Sequence, residues 1–122
     1  MTHLWGESTV IHQSARLIVV QAASTGGYGM SSVHYHSTHE NGIVVLKGAV
    51  VLKEVSGGCF RRHYLQQGES KLFLPKVSHQ LVFAEPCAFL EWYVSVDSED
   101  ARLGDIVRQE EGRVPEHVES AV

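Results

Sequence analysis

Short apolar runs separated by turn residues dominate the chain up to about residue 96. Thr9-Val10-Ile11 and Arg16-Leu17-Ile18-Val19-Val20-Gln21-Ala22 are β-branched and lack helical spacing, which predicts strands. The same pattern predicts strands over residues 30–36, 43–47, 49–55, 60–66, 71–74, 80–84 and 88–96. Turn signals stand between them: Ser24-Thr25-Gly26-Gly27-Tyr28-Gly29, Lys47-Gly48, Ser56-Gly57-Gly58-Cys59, Gln67-Gly68 and Glu85-Pro86. Many short strands with almost no helical pattern predict an all-β sandwich or barrel. From Asp97 the composition turns charged, and residues 105–111 read as a short strand or a helical turn. A single domain, 1–122, is expected, with the barrel at about 8–96, a charged segment over 97–122 and fraying from about Pro115.

Composition narrows the function classes. The 122 residues are 43% hydrophobic and 20% charged, ordinary for a globular domain. A net charge of -4 gives no reason to expect nucleic acid, and the one basic cluster, Arg61-Arg62-His63, would alternate faces on a strand. No apolar run approaches the ~20 residues of a membrane helix. The first residues lack the basic and apolar regions of a signal peptide, so a cytoplasmic protein with two reduced thiols, Cys59 and Cys87, is expected. Both cysteines read as small buried hydrophobes. Gly26-Gly27 leads into a strand, which argues against a phosphate-binding loop.

The chemistry concentrates between Gly29 and Gly48. His34 and His36 are two apart on a predicted strand, so they share one face. Imidazole is a good ligand for divalent transition metals, and two on one face make half of a site. An oxygen donor follows at Glu40 or Asn41. His79 comes after a proline turn, with Leu81 and Phe83 on its face, which would line an interior.

These residues resemble the two motifs of the cupin superfamily. The first reads Gly, a short gap, His-x-His, three or four residues, Glu, six residues, Gly. With the three-residue gap Glu40 is the carboxylate and Gly48 is one residue late; with the four-residue gap Gly48 is in place and the ligand becomes Asn41. The second motif reads Gly, a gap, Pro-x-Gly-x-x-His. Gly68 through Pro75-Lys76-Val77-Ser78-His79 looks like it, one residue short and without its inner glycine. Within the superfamily the chain looks most like the cupin domain of mannose-6-phosphate isomerase / mannose-1-phosphate guanylyltransferase enzymes. That likeness rests on Trp5-Gly6, Ser32-Val33-His34-Tyr35-His36, Asp105-Ile106-Val107-Arg108 and Gly112-Arg113. It departs where His34 replaces the family's glutamine and where Asn41-Gly42 stand in place of its His-Trp.

The resemblance implies a cupin double-stranded β-helix (a jelly-roll barrel) holding one divalent transition metal (Fe, Mn, Ni, Co or Zn). The ligands would be His34, His36, His79 and an oxygen from Glu40 or Asn41. It implies isomerase-like proton transfer on a sugar or polyol-derived carbonyl compound, with Glu91 or Glu40 as base. An Fe(II)-dependent dioxygenase-type cupin and a non-catalytic small-ligand binder are the alternatives. The expected partners are a small-molecule ligand and a second copy of the chain, with no nucleic acid and no membrane. A homodimer is expected because residues 17–20 are apolar on both faces of their strand and need an outer cover.

Other residues read more simply. Glu91 lies in an apolar strand, as an outward edge residue or as an inward acid/base raised by burial. Tyr28, Tyr35, Trp92 and Tyr93 are expected as core or pocket lining. His39 reads as a further ligand candidate or, more simply, as a loop histidine near the mouth, and His3, His12, His63 and His117 as surface residues.

Overall fold

In the computed structural model the chain is described over residues 2–27, 29–31, 33–36, 39–56, 59–95 and 106–110. All regular structure among them is β. The strands are β1 (Glu7–Gln13), β2 (Leu17–Ser24), β3 (Gly29–Met30), β4 (Val33–His36), β5 (His39–Lys47), β6 (Ala49–Ser56), β7 (Cys59–Gln66), β8 (Ser70–Phe73), β9 (Ser78–Phe83), β10 (Cys87–Ser95) and β11 (Ile106–Glu110). Two sheets form, one ordered β1-β2-β10-β5-β8 and the other β11-β4-β9-β6-β7, with β3 on β9, and every named pairing is antiparallel. Among the described residues no helix is long and apolar enough to cross a membrane.

Three differences from the pattern-based expectation bear on the site. The expected strand over 30–36 is two strands, because Ser31 replaces the ladder there. Its N–H donates to Leu81 O at 2.9 Å, and its Oγ accepts from Leu81 N at 2.8 Å. Strand β5 starts at His39 and not at Ile43, so Glu40 and Asn41 lie on a strand. Residues 106–110 settle as a strand, which extends the second sheet beyond β4. The expected details at Gly57-Gly58 and over 111–122 lie outside the described residues, as do the side chains of residues 32–38 and 106–110.

Inward-facing side chains divide along the barrel. One half is apolar, with Ala22, Val45, Val50, Leu65, Leu81, Phe83, Cys87 and Phe89 in a single cluster. The N-terminal hook closes this end. Trp5 packs on Phe83 (4.9 Å between centroids) and Phe89 (5.9 Å), and His3 stacks on its other side at 4.6 Å. Ser24 Oγ donates to Trp5 O at 2.7 Å, and His3 Nε2 lies 2.6 Å from Ser8 Oγ. His3 is therefore part of the plug and not a plain surface residue.

Gly48 joins β5 to β6 with φ +75°, and a Cβ there would run into the carbonyl oxygen of Pro86. Left-handed backbone costs an L-residue roughly 1–2 kcal/mol before any clash. Gly48→Ala is expected to destabilise the fold by ~2 kcal/mol or more, measured by urea unfolding; an unchanged midpoint would refute this reading of the turn.

The outer face of the first sheet carries the second apolar side of β2. Ile18 and Val20 are buried inward, while Leu17 and Val19 remain half-buried outside. Trp92 lies flat across Gly42 on that face, where a Cβ would collide with its indole.

Candidate functional site

Toward the other end, buried polar side chains stand among Ile18, Ile43, Phe73 and Tyr93. On β5 the alternation puts His39 (1% exposed), Asn41 (2%) and Ile43 on the buried side, with Glu40 and Val44 on the other. The pairing of β5 with β10 runs Ser95↔His39, Val94↔Glu40 and Tyr93↔Asn41 without a shift, so no bulge turns Glu40 inward. Asn41 therefore faces the interior. Glu40, expected as ligand or base, sits half-buried on the outer face and drops out of the site. His39, expected in a loop near the mouth, is buried in a strand.

Glu91 is inward and buried, the less ordinary of its two readings. Asn41 Nδ2 reaches Glu91 Oε2 at 3.4 Å and donates to Trp92 O at 3.2 Å and Gly42 O at 3.3 Å. Burial pushes the Glu91 carboxyl up to about 7, and hydrogen bonds from Asn41 and Tyr93 offset only part of that. Between the ordinary carboxylate value and about 7 the folded chain holds a proton that the unfolded chain has lost. Stability should therefore fall as pH rises through that window and level off above it. In metal-free protein Glu91→Gln should flatten this slope and be the more stable form at pH 8 by a few kcal/mol. Parallel stability–pH curves for the two proteins would contradict it.

His79, from the second sheet, is 2% exposed. Its Nδ1 lies 3.0 Å from Val77 O, an acceptor only, so Nδ1 carries a proton, and it is the buried Nε2 whose lone pair a ligand role would use. Phe73 of β8 stacks on the imidazole at 4.3 Å and 12° and holds its plane. The backbone register places His34 directly opposite His79. Opposed residues of an antiparallel pair have Cβ atoms ~5 Å apart on one face. His36 is two residues further along β4. Backbone placement thus unites His34, His36 and His79, while the side chains of the first two lie outside the described residues. Among the described residues no three His, Cys, Asp or Glu side chains gather closely enough to hold a metal ion.

The turn leading to His79 shows how the shortened second motif is accommodated. Lys76 adopts φ +68°, the left-handed backbone that the motif's missing glycine would take without strain. Lys76→Gly should be neutral or stabilising by up to ~1 kcal/mol in thermal unfolding; a loss of stability would show that the Lys76 side chain holds the turn.

Some polar groups near this end escape sequence reading. Lys71 and Phe73 take the inward face of β8, and Lys71 Nζ lies 4.0 Å from Glu54 Oε1 and 5.7 Å from the Phe73 ring centroid. His63, expected at the surface, is part-buried with Nε2 3.9 Å from Glu54 Oε2. The four-residue strand β8 is too short for its pattern to reveal which side faces in. Cys87 is buried as expected, with burial pushing its thiol up to about 11, whereas Cys59 is exposed and not the buried hydrophobe its type suggests. Tyr93 lines the interior and Trp92 the outer face; Tyr28 and the Tyr35 side chain lie outside the described residues.

The sequence matches no protein-family model and no curated protein. Solved structures match by shape. A double-stranded β-helix protein from Klebsiella pneumoniae superposes with a TM-score of 0.66 at 17% identity, over 77% of this chain and 80% of that one. KdgF from Halomonas sp. gives 0.65 at 19%, over 78% and 84%. The fold is the cupin double-stranded β-helix. An oxalate oxidase in complex with glycolate gives 0.70 at 14% identity, over 88% of this chain but 56% of that one. The capsular polysaccharide assembling protein CapF from Staphylococcus aureus gives 0.74 at 16%, over 90% and 31%. The chain thus spans little more than half, or a third, of these larger proteins. At such identities the likeness establishes the cupin fold, and the site must be read from this chain's own residues.

Proposed function

We propose that the chain is a metal-binding cupin, with one divalent transition metal at the polar end of its barrel. The observation that carries this reading is the register of β4 on β9, which sets His34 opposite His79. Residues 45 apart in sequence become cross-strand neighbours, with His36 one pleat away. A borderline-soft three-imidazole set with an amide oxygen fits Fe, Mn, Ni, Co or Zn and not Mg or Ca. Of the adjacent Glu40 and Asn41, Asn41 is the one that faces inward and would supply the oxygen. The bound metal would act as a Lewis acid toward a carbonyl oxygen.

The protein's own groups then suit proton transfer. Glu91 is buried beside Asn41, and burial raises its carboxyl in the metal-free protein, so its Oε atoms are placed to hold or release a proton. Phe73 and the apolar half of the barrel keep bulk water from His79. We favour an isomerase-like reaction on a sugar or polyol-derived carbonyl compound. The oxygenase reading takes support from the fold shared with an oxalate oxidase, and the non-catalytic binder from the fold alone. Incubating Fe(II), Mn(II), Ni(II) and Zn(II) forms with aldoses and ketoses in deuterated water without oxygen decides among them. Deuterium incorporation supports isomerisation; turnover only with Fe(II) and dioxygen overturns it.

We also propose a homodimer through the outer face of the first sheet, where Leu17, Val19 and Trp92 are half-buried and Leu72 is 44% exposed. A monomeric mass by light scattering at micromolar concentration would refute it.

A further inference from the structure

We infer that Glu91 is a positioning residue of the metal site: with two main-chain carbonyls it holds the nitrogen of the Asn41 amide, so that Oδ1 is the atom left for the metal. This deepens the metal-site reading and rests on it. Three oxygens surround Asn41 Nδ2: Trp92 O at 3.2 Å, Gly42 O at 3.3 Å and Glu91 Oε2 at 3.4 Å. A carbonyl oxygen only accepts hydrogen bonds, so the nitrogen of the amide and not its oxygen must face this group. Among the described residues, every hydrogen bond of the Asn41 side chain runs through Nδ2.

The strand register places this group inside the site. Asn41 and Glu91 are both buried on the inner face of adjacent strands, with Glu91 diagonal to Asn41 because its direct partner is Ile43. The direct partner of Asn41 on β10 is Tyr93, which gives the Glu91 carboxylate a second hydrogen bond. Its partner on β8 is Phe73, whose ring stacks on His79 at 4.3 Å. Asn41 therefore stands between Glu91 on the β10 side and the Phe73–His79 stack on the β8 side. A carboxylate in place of the amide would set an oxygen against all three acceptors. That accounts for an asparagine at the inward position where the motif it resembles has a carboxylate. The competing account is an amide that only caps strand carbonyls, with Glu91 as its structural partner.

Calorimetric titration of the metal-free protein with Co(II) separates these accounts. Glu91→Met removes the acceptor and should weaken Co(II) binding at least tenfold, since groups that orient a ligand are worth ~10–100-fold. Glu91→Gln keeps an oxygen that accepts from Nδ2 and should retain most of the affinity, which a purely electrostatic role would not allow. Asn41→Asp should bind Co(II) more weakly than wild type, although a carboxylate is ordinarily the stronger ligand. Combining it with Glu91→Gln, which offers the new carboxylate a donor, should recover part of that loss. Equal losses in Glu91→Gln and Glu91→Met, or tighter binding by Asn41→Asp, overturns the inference. A lower Tm in Glu91→Met with Co(II) affinity intact identifies the structural partner and also overturns it. Wild type that binds Co(II) no better than Glu91→Met fails this inference alone, whereas wild type that binds none fails the reading beneath it.

Discussion

His79→Ala is expected to reduce bound metal from about one equivalent per chain to under a tenth, measured by elemental analysis of protein purified without a nickel column. Even groups that only orient a ligand are worth ~10–100-fold in metal affinity, and a ligand itself is worth more. The Nδ1 proton of His79 is held by Val77 O and its ring by Phe73. Its removal also leaves a gap under the Phe73 ring, so a folding defect could mimic a ligand defect. His79→Phe keeps an aromatic ring in that position without a donor and separates the two. Both variants should lose the metal, while His12→Ala, at an exposed position on β1, should keep it. Retention of a full equivalent in His79→Phe would remove this residue from the ligand set.

Trp5→Ala should cost about 3 kcal/mol, the low end for truncating an aromatic side chain because Trp5 is only partly buried. For a chain of this size the expected drop in Tm is ~10 °C. The loss has a clear origin: the indole is packed between His3 and the Phe83 and Phe89 rings, and its main-chain carbonyl is tied to Ser24. Trp5→Phe should recover about half of it. An unchanged melt for Trp5→Ala would mean that the N-terminal hook does not close the barrel. Metal content should be insensitive to this substitution, because His79 lies at the opposite end of β9 from Phe83, the residue Trp5 packs on.

Most strands were legible in the sequence because they are short, rich in β-branched or aromatic residues and set between turn residues. The histidine motif was legible because i, i+2 spacing has one meaning on a strand. What pattern could not decide was direction. Glu40 and Asn41 are adjacent, so one of them must face in, and only the unshifted pairing of β5 with β10 chooses Asn41. Glu91 lies in a strand apolar on both sides, where alternation carries no contrast; its inward position follows from sharing a face with Phe89 and Tyr93. Lys71 acquires its meaning from Glu54 across the barrel, a contact between segments that no local window contains, while His63 meets the same carboxylate from the neighbouring hairpin strand. Lys76 supplies the left-handed turn without the expected glycine, so the motif's backbone requirement survives the loss of its residue.

The Trp5 plug has a kinetic consequence. If the proposed ligand is held at the histidine end, the aromatic rings around Trp5 bar the opposite end of the barrel as a route to it. A bulky group tethered near the histidine end should then slow ligand entry and exit together.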